Sequence, residues 1–433
     1  MIAKSASSLS FVKTEAKYSI RTMSSAFTYR SNIMSADQLT SKIILFESER
    51  NGVVYRIPSL LYLNEQKIIL AFAEKRTSAR DLDAKILVMR RGKLNMSVVK
   101  WDDIVPLEMA RLPGYRTMNP CPVYERERGV IYLFFNCVKD GVSEARQIWW
   151  GKDAAKLCYV MSQDAGTSWS ALTDLTGNIL GEQLWKWGTF AVGPGHGVQM
   201  HQGRLMVPAY AYFIQRRCLL IPPWFCTQPH SFYFYSDDGG DNWRVAEPIT
   251  KYQAVECELA EITITDSYHM LYCNARTNGR RRMEAVSLDP GHFEIVRLAK
   301  GLPETKGGCQ GSVVSFCPPK GVMPSSKLVP GSPDAHVKMS WLLYTHPTGE
   351  SECLFHKRNR TNLGVYMNLM PLKPQRWQGP WIIQTGPSGY SDLIYLDGMA
   401  TFACLYECGI TEYWEQITFC LFTFEDIMQN IVQ

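Results

Sequence analysis

Three arginines stand at the ends of strand-like runs: Arg56 in VVYRIPSLLYL, Arg276 in LYCNARTNGR and Arg360 in HKRNRTNLGVYMN. Three guanidiniums meeting at one point would bind a carboxylate with a forked geometry that lysine cannot copy. Taken singly, each reads as a surface arginine, and the sequence does not by itself bring them together. Acids stand in comparable contexts. AFAEKRTSARDLDAK (71–85) holds Glu74, Arg76, Asp81 and Asp83 after a buried-looking strand. An aspartate beside an arginine on such a loop is a candidate general acid/base, and it is also an ordinary solvated loop residue. VECELAE (255–261) holds Glu256, Glu258 and Glu261, and strand alternation puts Glu256 and Glu258 on one face. GYSDL offers Tyr390, and PAYAYF puts Tyr210 and Tyr212 on one strand face, as a binding platform or as core. GxSxG, P-loop and HExxH motifs are absent.

The elements that must position these groups are short strands. KIILAFAEK (67–75), VIYLFFNCV (130–138), RLMVPAYAYF (204–213), SFYFYS (231–236), YHMLYCNAR (268–276), KMSWLLYTH (338–346) and ITFCLFTF (417–424) are rich in β-branched and aromatic residues. Gly, Pro, Asn or Asp bound them. Helical periodicity is confined to short pieces near 143–147 and 424–432. SQDAGTSW (162–169) returns as SDDGGDNW (236–243), and SLDPGHF (287–293) is a degraded third copy with its aromatic one position early. A repeated S-x-D-x-G-x-x-W turn after an aromatic strand predicts a repeated strand–turn–strand unit. That favours an all-β propeller over a sandwich, with about six four-stranded blades in a chain of this length.

The 433 residues carry a net charge of +5, too small an excess to imply nucleic acid. Thirteen scattered cysteines without a CxxC pair or zinc spacing predict free, mostly buried thiols in a reducing compartment. No metal or other cofactor is expected. Residues 1–40 are read as a poorly ordered N-terminal extension ahead of a domain over 41–433, with a mitochondrial transit peptide as the lesser alternative. The Pro-broken apolar stretch CLLIPPWFCTQP (218–229) is either a loop packed on the body or a lipid-touching loop led by Trp224 and Phe225. GCQGSVVSFCPPKGVMPSSKLVPGSPDAHVK (308–338) reads as a long surface loop in its middle.

YRIP (55–58) followed by these boxes resembles the exo-α-sialidases (neuraminidases). AFAEKR, RTMNPCPV, TFAVGPGHGVQM, VPAYAY, VECELAE, GCQGSVVSF, LLYTHPT, GYSDL and CLYECG are similar to the vertebrate non-lysosomal members, and the PPWFC insertion to the membrane-associated ganglioside sialidase. The resemblance runs from about residue 45 to the end.

It implies a six-bladed propeller and retaining hydrolysis of terminal α-linked sialic acid. It makes Arg56, Arg276 and Arg360 the carboxylate triad, Tyr390 the nucleophile and Glu256 its base. Asp81 becomes the acid/base, with Asp83 a nearby rival, and Glu407 the holder of Arg56. Arg76, Met118, Asn119, Tyr210 and Tyr212 line the pocket. A neutral phenol suits a sugar whose anomeric carbon already bears a carboxylate, because an anionic nucleophile would be repelled. The expected partners are sialylated glycolipids, oligosaccharides and glycoproteins, probed at a membrane surface or in the cytoplasm. A catalytically inactive sialic-acid-binding propeller is the alternative reading.

Overall fold

The computed structural model describes residues 42–216, 222–287, 292–319, 339–349, 359–373 and 376–431. The N-terminal extension, the middle of the 308–338 loop, and the first residues of the 218–229 stretch lie outside them. So does the centre of the third box. All the described residues fall in one compact unit, Leu39–Gln433.

Antiparallel strands build almost all of it. Val54–Leu63, Ile68–Arg76, Ala84–Asn95 and Val98–Trp101 form one sheet in chain order. Tyr115–Glu125, Val130–Lys139, Ala155–Ser162 and Thr173–Asp174 form the next. Trp187–Val192, Leu205–Ile214, Thr227–Ser236 and Arg244–Val245 follow, and then Cys257–Thr265, Tyr268–Ala275, Arg281–Ser287 and Ile295–Pro303. The rest is one seven-stranded sheet. Its 20-residue strand Trp377–Leu396 pairs with Thr361–Asn368 along its first half and with Thr401–Cys408 along its second. The edge is Ile43–Glu47, paired with the last strand, Gln416–Thr423, so the start of the described chain closes onto its end.

Apolar side chains fill the spaces between successive sheets. Leu70 and Phe72 meet Ile131 and Leu133; Phe134 meets Val207 and Phe232; Met206 and Tyr233 meet Leu271. Tyr272 meets Tyr344, Leu343 meets Phe402, and Leu405 returns to Ile69 of the first sheet. The stacking therefore runs in a circle. Strand alternation explains the pattern, because both faces of a sheet present apolar side chains to its neighbours.

The box turns lock this stack. Ser162 donates to Asp164 Oδ1 at 2.8 Å, which also accepts Ser168 N at 2.8 Å, and Gly166 N donates back to Ser162 Oγ at 2.9 Å. Ser236, Asp238, Gly240 and Asn242 repeat those bonds. At Gly240 φ is +98°, and a Cβ there would strike the Tyr132 ring, so glycine is required on both counts. Each box aromatic reaches the preceding sheet: Trp169 sits edge-on to Phe72, and Trp243 to Phe134. The early Phe293 of the degraded copy does likewise with Tyr233, at 6.1 Å. The two short helices form where periodicity suggested, at Glu144–Trp150 and Phe424–Ile431. The described cysteines carry no disulfide, and most are buried.

Candidate active site

Three strands carry the same irregularity where they border the cleft. Between Arg56 and Ser59, between Met118 and Cys121, and between Ser388 and Ser391, three steps on one strand oppose two on its partner. A bulge of this kind bends the strand and re-aims a side chain. Pro58 and Pro120 explain two of them, since proline has no N–H to continue the ladder. Ile57 and Asn119 take up the left-handed backbone at φ 62° and 59°. That conformation is costly for a β-branched residue and concentrates at functional sites.

These bulges open onto a cleft of about 600 Å³. Arg56, Arg76, Asp81, Met118, Asn119, Tyr210, Tyr212, Glu256, Arg276, Arg360 and Tyr390 all line it. Glu407 lies behind them, fully buried. Its carboxylate takes Arg56 Nε at 2.6 Å, Ile57 N at 2.9 Å and Tyr390 N at 3.1 Å. One acid thus fixes an arginine, the bulge and the tyrosine backbone together. Gly389 leaves room for it, because a Cβ there would meet the Glu407 carboxylate.

The Tyr390 hydroxyl makes a very short hydrogen bond to Glu256 Oε1. Arg276 Nη1 donates to Glu256 Oε2 at 2.7 Å and to the Tyr390 hydroxyl at 3.1 Å. The guanidiniums of Arg56 and Arg360 lie 5.6 and 5.2 Å from the centre of the Tyr390 ring. Gly307 O holds Arg276 and Gly308 O holds Arg360. All three arginines therefore surround one phenol. Burial pushes the Tyr390 hydroxyl well above its ordinary value and Glu256 adds to this, against the pull of Arg276 and Arg360. The phenol is protonated at rest. Burial opposes the charge on Arg56 and Arg360, but their neighbours (Glu407 first for Arg56) outweigh it and keep both cationic.

Asp81 stands at the rim on the short turn Asp81–Asp83, its side chain 74% exposed and 2.6 Å from Arg76 Nη1. Partial burial raises its proton affinity, but the charges of Arg76 and Arg56 win and hold it below the usual carboxylate range. Asp83 points elsewhere and accepts from Ser78 Oγ at 2.6 Å. Arg76 is fixed from below by Glu74, which also accepts Asn119 N at 2.7 Å.

Sequence reasoning missed Glu144 and Tyr413. Glu144 opens the helix capped by Ser143 and accepts from the Tyr210 hydroxyl at 3.2 Å. Burial within the cleft walls, then Glu256 and Asp81, pushes it up to about 7. Its short helix was legible, but nothing in the sequence aimed it at the cleft. The Tyr413 ring lies 5.2 Å from Arg56 and 5.4 Å from Arg360, beneath two like charges. One group of metal-type side chains converges among the described residues: His196, Glu258 and Asp392. They already bond to one another's neighbours through Ser312 and form a hydrogen-bonded network.

Comparison with known proteins fixes the class. The fold matches that of the Hadza microbial sialidase Hz136 with a TM-score of 0.66, at 20% identity, over 89% of this chain and 69% of that one. Residues 67–401 match the BNR repeat-like domain. The chain is 46% identical to Sialidase-3 of Bos taurus (89% of this chain, 94% of the relative) and 45% identical to Sialidase-3 of Homo sapiens (89% and 93%). It belongs to the exo-α-sialidase family of glycoside hydrolases, with a sialidase-like β-propeller fold.

Proposed function

We propose that the chain is a retaining exo-α-sialidase in which Tyr390 and Glu256 act as nucleophile and base, and Asp81 as acid/base. The observation that carries this is a protonated phenol bonded to a carboxylate inside a ring of three guanidiniums. The substrate carboxylate pairs with Arg56, Arg276 and Arg360, which sets the anomeric carbon over the Tyr390 oxygen. Glu256 takes the phenolic proton as the Tyr390 oxygen bonds to that carbon, and the glycosidic bond breaks with its electron pair on the leaving oxygen. Asp81 gives that oxygen a proton.

Arg76 keeps Asp81 ionised at rest, the form that activates water in the second step. Entering substrate excludes water and sets its own carboxylate on the arginines, which raises the proton affinity of Asp81 so that it takes up one proton from solvent before the first step. Water then attacks the anomeric carbon and gives its proton to the Asp81 carboxylate, the tyrosyl bond breaks, and the proton on Glu256 returns to the phenolate. Met118, Asn119, Tyr210 and Tyr212 shape the walls around the ring and its side arms. NMR of the first-formed product tests the scheme. Retention predicts α-sialic acid before mutarotation, whereas β-sialic acid first would exclude a tyrosyl intermediate.

Six four-stranded blades are part of the same reading. Four sheets stand alone, and Trp377–Leu396 divides the seven-stranded sheet into two further groups, Ile43–Glu47 completing the second. The circular succession of apolar layers supports that count.

We further propose glycolipids, gangliosides foremost, as substrates met at a membrane surface. Trp149 stacks on Trp224 at 5.1 Å, and Trp224 stacks on Phe225. Trp149, Trp150 and Phe225 are 51, 60 and 64% exposed. This patch shares the helix Glu144–Trp150 with the cleft wall, so aromatic rings resting in a headgroup layer would bring the cleft mouth to its sugars. Among the described residues no helix is long and apolar enough to cross a membrane.

A further inference from the structure

Two residues along the chain from each member of the Tyr390–Glu256 pair lies a second pair, Asp392 and Glu258, that the proposed chemistry does not use. Both are fully buried. Ser312 Oγ lies 2.7 Å from Glu258 Oε2 and 2.9 Å from Asp392 Oδ1, and it accepts from Leu393 N at 2.9 Å. A hydroxyl has one hydrogen to give. It satisfies one carboxylate oxygen, so the other short contact needs a hydrogen of its own. His196 Nδ1, 2.8 Å from Asp392 Oδ1, and Leu60 N, donating to Oδ2 at 2.7 Å, lie closer than the donors to Glu258, Val313 N and Gln310 Nε2, both at 3.0 Å, and so favour the negative charge on Asp392. The missing hydrogen then belongs to Glu258.

We infer that Glu258 and Asp392 hold one proton between them, carried by Glu258, and that this acid pair positions Tyr390 against Glu256. The inference rests on the roles proposed above for Tyr390 and Glu256. The link is short and runs through the Gln310 side chain. Gln310 Nε2 donates to Glu258 Oε1 at 3.0 Å and to Ser391 O at 2.9 Å, and Ser391 N donates to Gln310 Oε1 at 3.0 Å. Ser391, the residue after Tyr390, is thus gripped at both backbone groups and tied to Glu258, two residues from Glu256. Gly195 lets the carboxyl sit there, because a Cβ would occupy the place of Glu258 Oε1.

Loss of the proton would put two anions around one hydroxyl and loosen both strands. Burial first, then Asp392, holds the Glu258 carboxyl well above its ordinary value. Its stabilising effect is complete below the unfolded value near pH ~4.3 and is lost as pH rises through the folded one. The other titratable groups facing the pair are His196 from its loop, Cys121 from Tyr115–Glu125 and Cys404 from Thr401–Cys408.

Two measurements on the full chain test this. In thermal melting from pH 5 to 9, the wild type should lose Tm toward the alkaline end, and Glu258→Gln, which cannot ionise, should flatten that loss. An identical slope in both proteins would overturn the shared proton, whatever the role of Tyr390. Ser312→Ala should lower kcat about tenfold with KM within twofold, because the arginines are held by other residues. An unchanged kcat, or a loss confined to KM, would overturn the positioning role.

Discussion

Arg276 donates to the Tyr390 hydroxyl at 3.1 Å, and the guanidiniums of Arg56 and Arg360 lie 5.6 and 5.2 Å from its ring centre. Arg56, Arg276 and Arg360 were visible as strand-end arginines, yet their convergence depends on Glu407, Gly307 and Gly308, which no spacing connects to them. The resemblance put Asp81 ahead of its rival Asp83; the short turn separates them, one toward Arg76 and one toward Ser78. Glu144 was invisible as a cleft residue because a charged residue at a helix start reads as a cap or a solvated side chain. It now gives a pH prediction. Its carboxyl titrates near 7, so below that it is neutral beside the Tyr210 hydroxyl, and above it a negative charge enters a cleft that binds an anion. The KM of the wild type for a sialoside should rise above about pH 7, and Glu144→Gln should move that rise to higher pH. An unmoved alkaline limb in the mutant would assign that limb to another group.

Elements were legible where local chemistry decides them. Ser-x-Asp-x-Gly turns fold by their own hydrogen bonds, so two boxes could be read outright. The bulges at Arg56, Asn119 and Tyr390 could not, since a bulge is defined by the partner strand. Pro58 and Pro120 were the local hints. The aromatic patch was half visible: Trp224 and Phe225 stood out in an apolar stretch, whereas Trp149 joined them only through the helix that stacks on it. If the patch rests on lipid, replacing Trp149, Trp224 and Phe225 by Ser should abolish pelleting with ganglioside-containing vesicles. Hydrolysis of a small soluble sialoside should stay within about twofold of wild type, since none of the three lines the cleft. Pelleting that survives the triple change would remove the patch from membrane binding.

For the whole molecule, the repeat pointed to a propeller, and the circular stacking of sheets agrees with it. What the sequence hid is the closure, because Ile43–Glu47 and Gln416–Thr423 lie at opposite ends of the described chain. Leu45 and Phe46 are buried among Leu405, Phe419 and Ile69, so the closing strand also fills an apolar layer. Removing two such side chains costs roughly 3–6 kcal/mol on transfer free energies, before the lost strand pairing. Deleting residues 1–40 should leave the melting temperature within a few degrees. Deleting 1–47 should lower it by about 10 °C or more, or yield insoluble protein. Equal melting of the two truncations would mean that the ring does not depend on that strand.

The most direct measurement is release of sialic acid from a fluorogenic α-sialoside by wild type and Tyr390→Phe, with circular dichroism confirming that both are folded. The mutant keeps the ring that Arg56 and Arg360 pack against and loses only the oxygen bonded to Glu256. The account predicts wild-type turnover and a loss of at least about a thousandfold in kcat for the mutant, in line with removal of a covalent nucleophile. Turnover that survives the change would contradict Tyr390 as nucleophile.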